Sequence, residues 1–137
     1  VARGEAFSRD QRLRLERAVA AASGQTGIRF TVYVGALEGQ PEAHAERLLS
    51  QVAGPHEPAV LILVAPAERV LRIATTTAVA ERLPDHACAL ASLSMTTSFG
   101  VGDLVGGIVN GLRMLADAAG RSLVQPPPVG AAEPALD

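Results

Sequence analysis

Three carboxylates stand where loops give way to regular elements: Glu57 before an apolar run, Asp85 after Leu83-Pro84, and Asp103 after Gly102. Carboxylates at such junctions can converge on a hard cation, and their oxygens would select Ca²⁺ or Mg²⁺. The same residues also serve local structure. Asp85 and Asp103 read as helix N-caps, each worth about 1 kcal/mol. Thr75, Thr76 and Thr77 follow a strand and lead into a helix. Hydroxyls and N–H groups there can hold an anion, or simply cap the helix. The lone cysteine, Cys88, lies one turn into the Asp85 helix among Ala87, Ala89 and Leu90. A helix N-terminus activates a thiol, whereas apolar neighbours make it a core residue. His44, His56 and His86 fall in three separate segments without metal-ligand spacing.

Other chemistries are absent from the pattern. The chain has no G-x-x-x-x-G-K-[ST] loop, no G-x-G-x-x-G, no G-x-S-x-G and no C-x-x-C. A net charge of -2 and 3% aromatic residues argue against a nucleic-acid partner, which calls for a basic patch and stacking rings. The longest apolar run, Ala59 to Ala65, is far short of the roughly 20 residues of a membrane helix. With a single cysteine the fold does not lean on disulfides. The expected location is cytoplasmic, or peripheral if a removed segment anchors the protein.

The elements that position these residues follow from periodicity. A length of 137 residues and a hydrophobic content of 48% suit one globular domain. Ser8 and Gln11 form a capping box for a first helix over about 7–23, with Leu15, Ala18, Val19 and Ala22 on its buried face. Five Arg between Arg3 and Arg17 then decorate its solvated side. Ile28 to Val34 alternates as a half-buried strand, and Pro41 opens a second helix. Val60 to Val64 is apolar throughout and belongs at the centre of a sheet. Val70 to Ala74 returns as its hairpin partner. Short helical segments follow over 77–83 and from Asp85 to about Thr97. A last helix spans Leu104 to about Ala119, where Gly107 and Gly111 invite a close neighbour. The expected architecture is a three-layer α/β/α sandwich around a mixed sheet of about four strands. The domain covers 1–119, and 120–137 is a Pro-rich tail.

The order of several short motifs resembles the TPM domain family, which groups a thylakoid acid phosphatase, a photosystem II repair protein and a receptor auxiliary subunit. The similar stretches are Phe30 to Gly39, Val60 to Val64 with its Arg69 to Ile73 return, Leu83-Pro84-Asp85, and Phe99 to Asp103 followed by Gly106-Gly107. The likeness runs from about Ala6 to Ala119 and is narrowest to a compact actinobacterial branch of unknown function. It implies a sheet between helix layers. For the family's enzymes it implies divalent-metal binding and phosphate-ester hydrolysis, with Glu57, Asp85 and Asp103 in the acidic positions. The chain departs from the pattern in having Pro58-Ala59 where Asn-Gly is usual. It also has Thr75-Thr76-Thr77 in place of a glycine-rich turn.

The first reading is therefore a non-catalytic or degenerate TPM-like domain that binds a partner protein. Its mark would be a concave or exposed apolar patch without convergent carboxylates. The alternative is a weak metal-dependent acid phosphatase, which requires Glu57, Asp85 and Asp103 to meet around one cation. A redox role for Cys88 would need an exposed thiol of lowered pKa. Substrate, partner and oligomeric state are left open by the residues alone.

Overall fold

The computed structural model, which describes residues 7–124, has four helices and three strands. They are α1 (Arg9–Thr26), β1 (Arg29–Val34), α2 (Pro41–Val52), β2 (Ala59–Ala65), β3 (Val70–Thr75), α3 (Asp85–Gly100) and α4 (Leu104–Val124). Short 3-10 turns occupy Pro66–Glu68 and Thr77–Val79. The Ser8–Gln11 capping box forms, with both reciprocal bonds present. α1 passes through Gly24 and stops at Gly27, whose φ of 74° is the left-handed conformation that ends helices. Pro41 opens α2 as expected.

The sheet has the order β1-β2-β3, with β1 parallel and β3 antiparallel to β2. It holds three strands rather than about four. Among the described residues the other apolar runs, Ala18 to Ala22 and Ala87 to Ala91, lie in helices, and the Thr77 segment tightens into a 3-10 turn. All seven residues of β2 are buried, which is why this apolar run sits centrally. Its register places Val60, Ile62 and Val64 on one face, beside Phe30, Val32 and Val34 of β1. α1, α3 and α4 cover that face. Leu61 and Leu63 point the other way, into a smaller cluster with Ala45 and Leu49 of α2. The layers are thus helix, sheet and helices, as expected. Each fully buried Val, Leu or Ile stabilises this arrangement by about 1.5–3 kcal/mol.

α3 and α4 form an antiparallel hairpin whose contact depends on glycine. A side chain at Gly107 would come within 2.8 Å of Ser98 and Phe99, and one at Gly111 within 2.6 Å of Met95. The close approach expected from these two glycines is therefore made by α3. α1 packs on the other side of α4, where the Gln25 amide donates to Asp117 at 3.0 Å. α4 runs to Val124, past the Gly120 boundary expected for the tail. The rest of that Pro-rich segment, from Gln125, lies outside the described residues.

Candidate functional site

Each of the three carboxylates has a local engagement. Glu57 accepts the Gly54 N–H at 2.8 Å, and its own N–H donates to the Gly54 carbonyl at 3.1 Å. It thereby closes the turn between α2 and β2. Asp103 accepts the Gly106 N–H at 3.0 Å, and so is the N-cap of α4 that its position foretells. Asp85 is one residue out. Pro84 takes the extended N-cap conformation, with φ of -68° and ψ of 163°, and Asp85 becomes the first helical residue without a capping bond. Its charge still lies in the first turn, where the helix dipole favours it. All three side chains are exposed. Among the described residues no group of three His, Cys, Asp or Glu is placed to hold a metal ion, so the structure does not bring Glu57, Asp85 and Asp103 together.

The threonine run is divided among three tasks. Thr75 ends β3 opposite Val60. Thr76 is buried, donates its hydroxyl to the Glu57 carbonyl at 2.6 Å and accepts the Ala59 N–H at 3.0 Å. Thr77 starts the 3-10 turn and is exposed. Cys88 packs half-buried against the core. Desolvation, and secondarily the charge of Asp85, raises its pKa, the opposite of what a redox thiol needs. His44 is a residue that spacing undersold. It is buried in α2, its Nδ1 accepts the Glu38 N–H at 3.1 Å, and the Tyr33 ring meets it edge-on at 5.1 Å. A polar residue buried at the border of a helix stripe was the only signal for that role.

The open surface lies elsewhere. At the carboxyl end of β2, the β2–β3 turn and the α3–α4 turn leave a cleft of about 450 Å³. Val64, Val70, Leu71, Phe99 and Leu104 give it an apolar wall, and Arg69 brings a charge to it. Arg69 holds a left-handed conformation (φ 58°, ψ 45°), unusual for a residue with a side chain. Next to the cleft runs the outer face of α3. Leu90 is 56% exposed, Leu93 65% and Val101, just past the helix end, 81%. Between Asp85 and Asp103 no Asp, Glu, Lys or Arg occurs. A surface helix normally turns a charged or strongly polar face outward, opposite its apolar stripe. Here the chain's own elements cover only the side with Ala91 and Met95. This feature was legible in the uncharged stretch of the sequence, yet nothing in a single sequence says which side of such a helix stays bare. Arg82 shows a further interaction that spacing does not reveal: it donates to the Thr26 carbonyl at 2.7 Å and ties the end of α1 to the approach to α3. Its Nε is buried without a partner.

Comparison with known proteins places these features in context. A family model described as a domain of unknown function, DUF5130, matches residues 1–116. An uncharacterized protein of Mycobacterium tuberculosis H37Rv, Rv2468c, is 28% identical over 102 residues, which cover 74% of this chain. The chain spans 60% of that relative's length. Two structures solved by NMR share the fold. The BA42 protein from the psychrophilic bacterium Bizionia argentinensis gives a TM-score of 0.77 at 16% identity, over 85% of this chain and 83% of that one. The N-terminal domain of a P. gingivalis protein gives 0.77 at 18% identity, over 89% and 82%. No helix among the described residues is long and apolar enough to cross a membrane.

Proposed function

From the premise that this chain belongs to the DUF5130 family, a domain of unknown function, we propose that it is a non-catalytic interaction module that docks a protein on the outer face of α3 and the adjoining cleft. The observation that carries this reading is the bare, uncharged side of α3, with Leu90 and Leu93 each more than half exposed. Exposed apolar side chains grouped on one face, rather than scattered singly, mark interaction surfaces. The cleft beside them is shaped to take an apolar side chain, and Arg69 is placed to meet a neighbouring carboxylate. The module is the single domain of 1–119. Its kinship is with the TPM domain family, supported by the order of the Phe30–Gly39, Leu83–Asp85 and Phe99–Asp103 motifs. The P. gingivalis neighbour is described as an N-terminal domain, which is consistent with a fold carried as a module of longer proteins. A cytoplasmic or peripherally attached location accords with this reading.

A photo-crosslinking residue placed at Leu93 tests it in the cells from which the protein comes. One discrete crosslinked product is expected from that position and none from Glu46 on α2. The alternative of a divalent-metal-dependent acid phosphatase using Glu57, Asp85 and Asp103 would displace it on one result: Ca²⁺- or Mg²⁺-dependent hydrolysis of a phosphate monoester by the purified chain, lost in Asp103→Asn.

A further inference from the structure

We propose that the loop between β1 and α2 is an acid-released latch, with the His44 imidazole as the group that lets go. This goes beyond the docking reading and concerns the other side of the sheet, where α2 packs. Residues 35–40 join β1 to α2 at the carboxyl end of β1. Both backbone polar groups of Glu38 are gripped by α2. Its N–H donates to His44 Nδ1 at 3.1 Å, and its carbonyl accepts from the Arg47 guanidinium at 2.7 Å. The Tyr33 hydroxyl donates to the Ala36 carbonyl at 2.9 Å. Leu37, between these contacts, packs into the smaller core cluster.

One of the three holds depends on an imidazole, the side chain that gains a proton under mildly acid conditions. An imidazole accepts through Nδ1 only when that nitrogen is bare, so the ring is neutral with its proton on Nε2. A proton taken up at Nδ1 turns the acceptor into a donor that faces the Glu38 N–H, and the bond is lost. His44 is 2% exposed, so water does not solvate the new charge while the loop is closed. It is also the fourth residue of α2, near the end where the helix dipole disfavours a cation. The charged groups on this side do little to compensate. Arg47 on α2 is a cation, and so is Arg72 of β3, which the register sets opposite Leu63 on the α2 face. β1 contributes the Tyr33 ring, edge-on at 5.1 Å, with Arg29 at the strand's far end, and β2 contributes no titratable residue. The carboxylates of Glu38 and Glu42 belong to exposed residues, where solvent screens their attraction. The closed loop thus holds one proton fewer than the released loop, so acid opens it and base restores it. Gly35 keeps its N–H on the Val64 carbonyl at 3.0 Å, and Gly39, at φ 87°, supplies the bend at the other end. Release moves the segment between them and uncovers Leu37.

Amide hydrogen exchange on the whole 137-residue chain, followed by NMR together with the His44 ring signals as the pH is lowered from about 8 to about 4.5, tests the latch. At the upper end the ring nitrogen shifts should show a bare Nδ1. As the ring gains its proton, the Glu38 amide should lose protection about tenfold or more against its intrinsic exchange rate, while the Ile62 amide in β2 keeps its own. His44→Asn offers a carbonyl oxygen near the Nδ1 position and does not titrate, so Glu38 should stay protected throughout. His44→Ala should leave Glu38 unprotected at every pH. If either variant does not fold, the wild-type correlation decides alone. A ring protonated on Nδ1 at the upper end, a ring that stays neutral until the chain unfolds, or Glu38 protection unchanged through the ring's titration overturns the proposal. Loss of Ile62 protection in the same step overturns it too, because acid would then be unfolding the sheet rather than releasing one loop.

Discussion

At the Ala59 end of β2, polar groups are bonded to one another. The Thr76 hydroxyl bridges the Glu57 carbonyl and the Ala59 N–H, the Thr76 N–H reaches the Ala59 carbonyl at 3.0 Å, and the Glu57 carboxylate folds onto Gly54. At the Ala65 end, the strand runs into a 3-10 turn and a left-handed Arg69, and an apolar cleft opens beside the α3–α4 turn. One end holds many of the residues whose types suggest chemistry and uses them to close the fold. The other holds few such residues and stays accessible. Reactive residue types are common where a chain must satisfy backbone groups at a sheet edge, so their presence is weaker evidence of a site than an unfilled surface.

Four experiments can break or sharpen this contrast. Thr76→Val should lower the unfolding free energy by about 2–3 kcal/mol, because it leaves a buried N–H and a carbonyl without their partner. Urea denaturation reads the loss, and a change below half a kilocalorie would mean the closed end is not held by that hydroxyl. Asp103→Ala should cost about 1 kcal/mol through loss of the α4 cap. The wild-type melting midpoint should be indifferent to Ca²⁺, Mg²⁺ and Mn²⁺. A midpoint raised by one of these ions and restored to baseline by the mutation would instead make Asp103 a ligand. Arg69→Gly should change stability by less than about 1 kcal/mol, since relief of the left-handed strain offsets the entropy glycine adds to the unfolded chain. The same change should weaken docking of an acidic partner, measurable by titration calorimetry.

The smallest effect concerns Cys88, whose pKa is raised by burial and by Asp85. A raised thiol pKa means less thiolate at neutral pH, so alkylation by iodoacetamide should be slower than for a free thiol and should still be climbing above about pH 8.5. Because the folded chain favours the protonated thiol, this group's contribution to stability is intact at neutral pH and falls only in the alkaline range. Rapid alkylation that levels off near pH 7 would reverse this view of Cys88.

Much of the scaffold was legible in the residues. Continuous burial named β2 as central, alternation named β1, Ser8 and Gln11 named the start of α1, and Gly107 with Gly111 named the α3–α4 contact. Asp85 was misplaced by one position because proline's fixed φ suits the N-cap conformation that an aspartate would otherwise supply. The candidate surface was the least legible part. Leu90 and Leu93 look the same in sequence as Ala91 and Met95, and only the position of the neighbouring elements decides which pair is covered. Thr76 and His44 were obscure for a related reason: their partners, Glu57 and Glu38, are backbone groups, which every residue has and no motif distinguishes.

The way α4 is shared between α3 and α1 also sets an order of events in time. The α3–α4 hairpin and the β2–β3 hairpin join segments close in the chain, whereas the Gln25–Asp117 contact closes a loop of about ninety residues. Local contacts form first because they cost the least loop entropy. The half of the molecule that carries the α3 face should therefore assemble early, with α1 docking last. Weakening the α1–α4 seam should then chiefly hasten unfolding, while weakening the glycine-dependent α3–α4 seam should chiefly slow folding. The two limbs of a chevron plot would tell these apart, and a newly made chain would present its α3 face before its first helix had found its place.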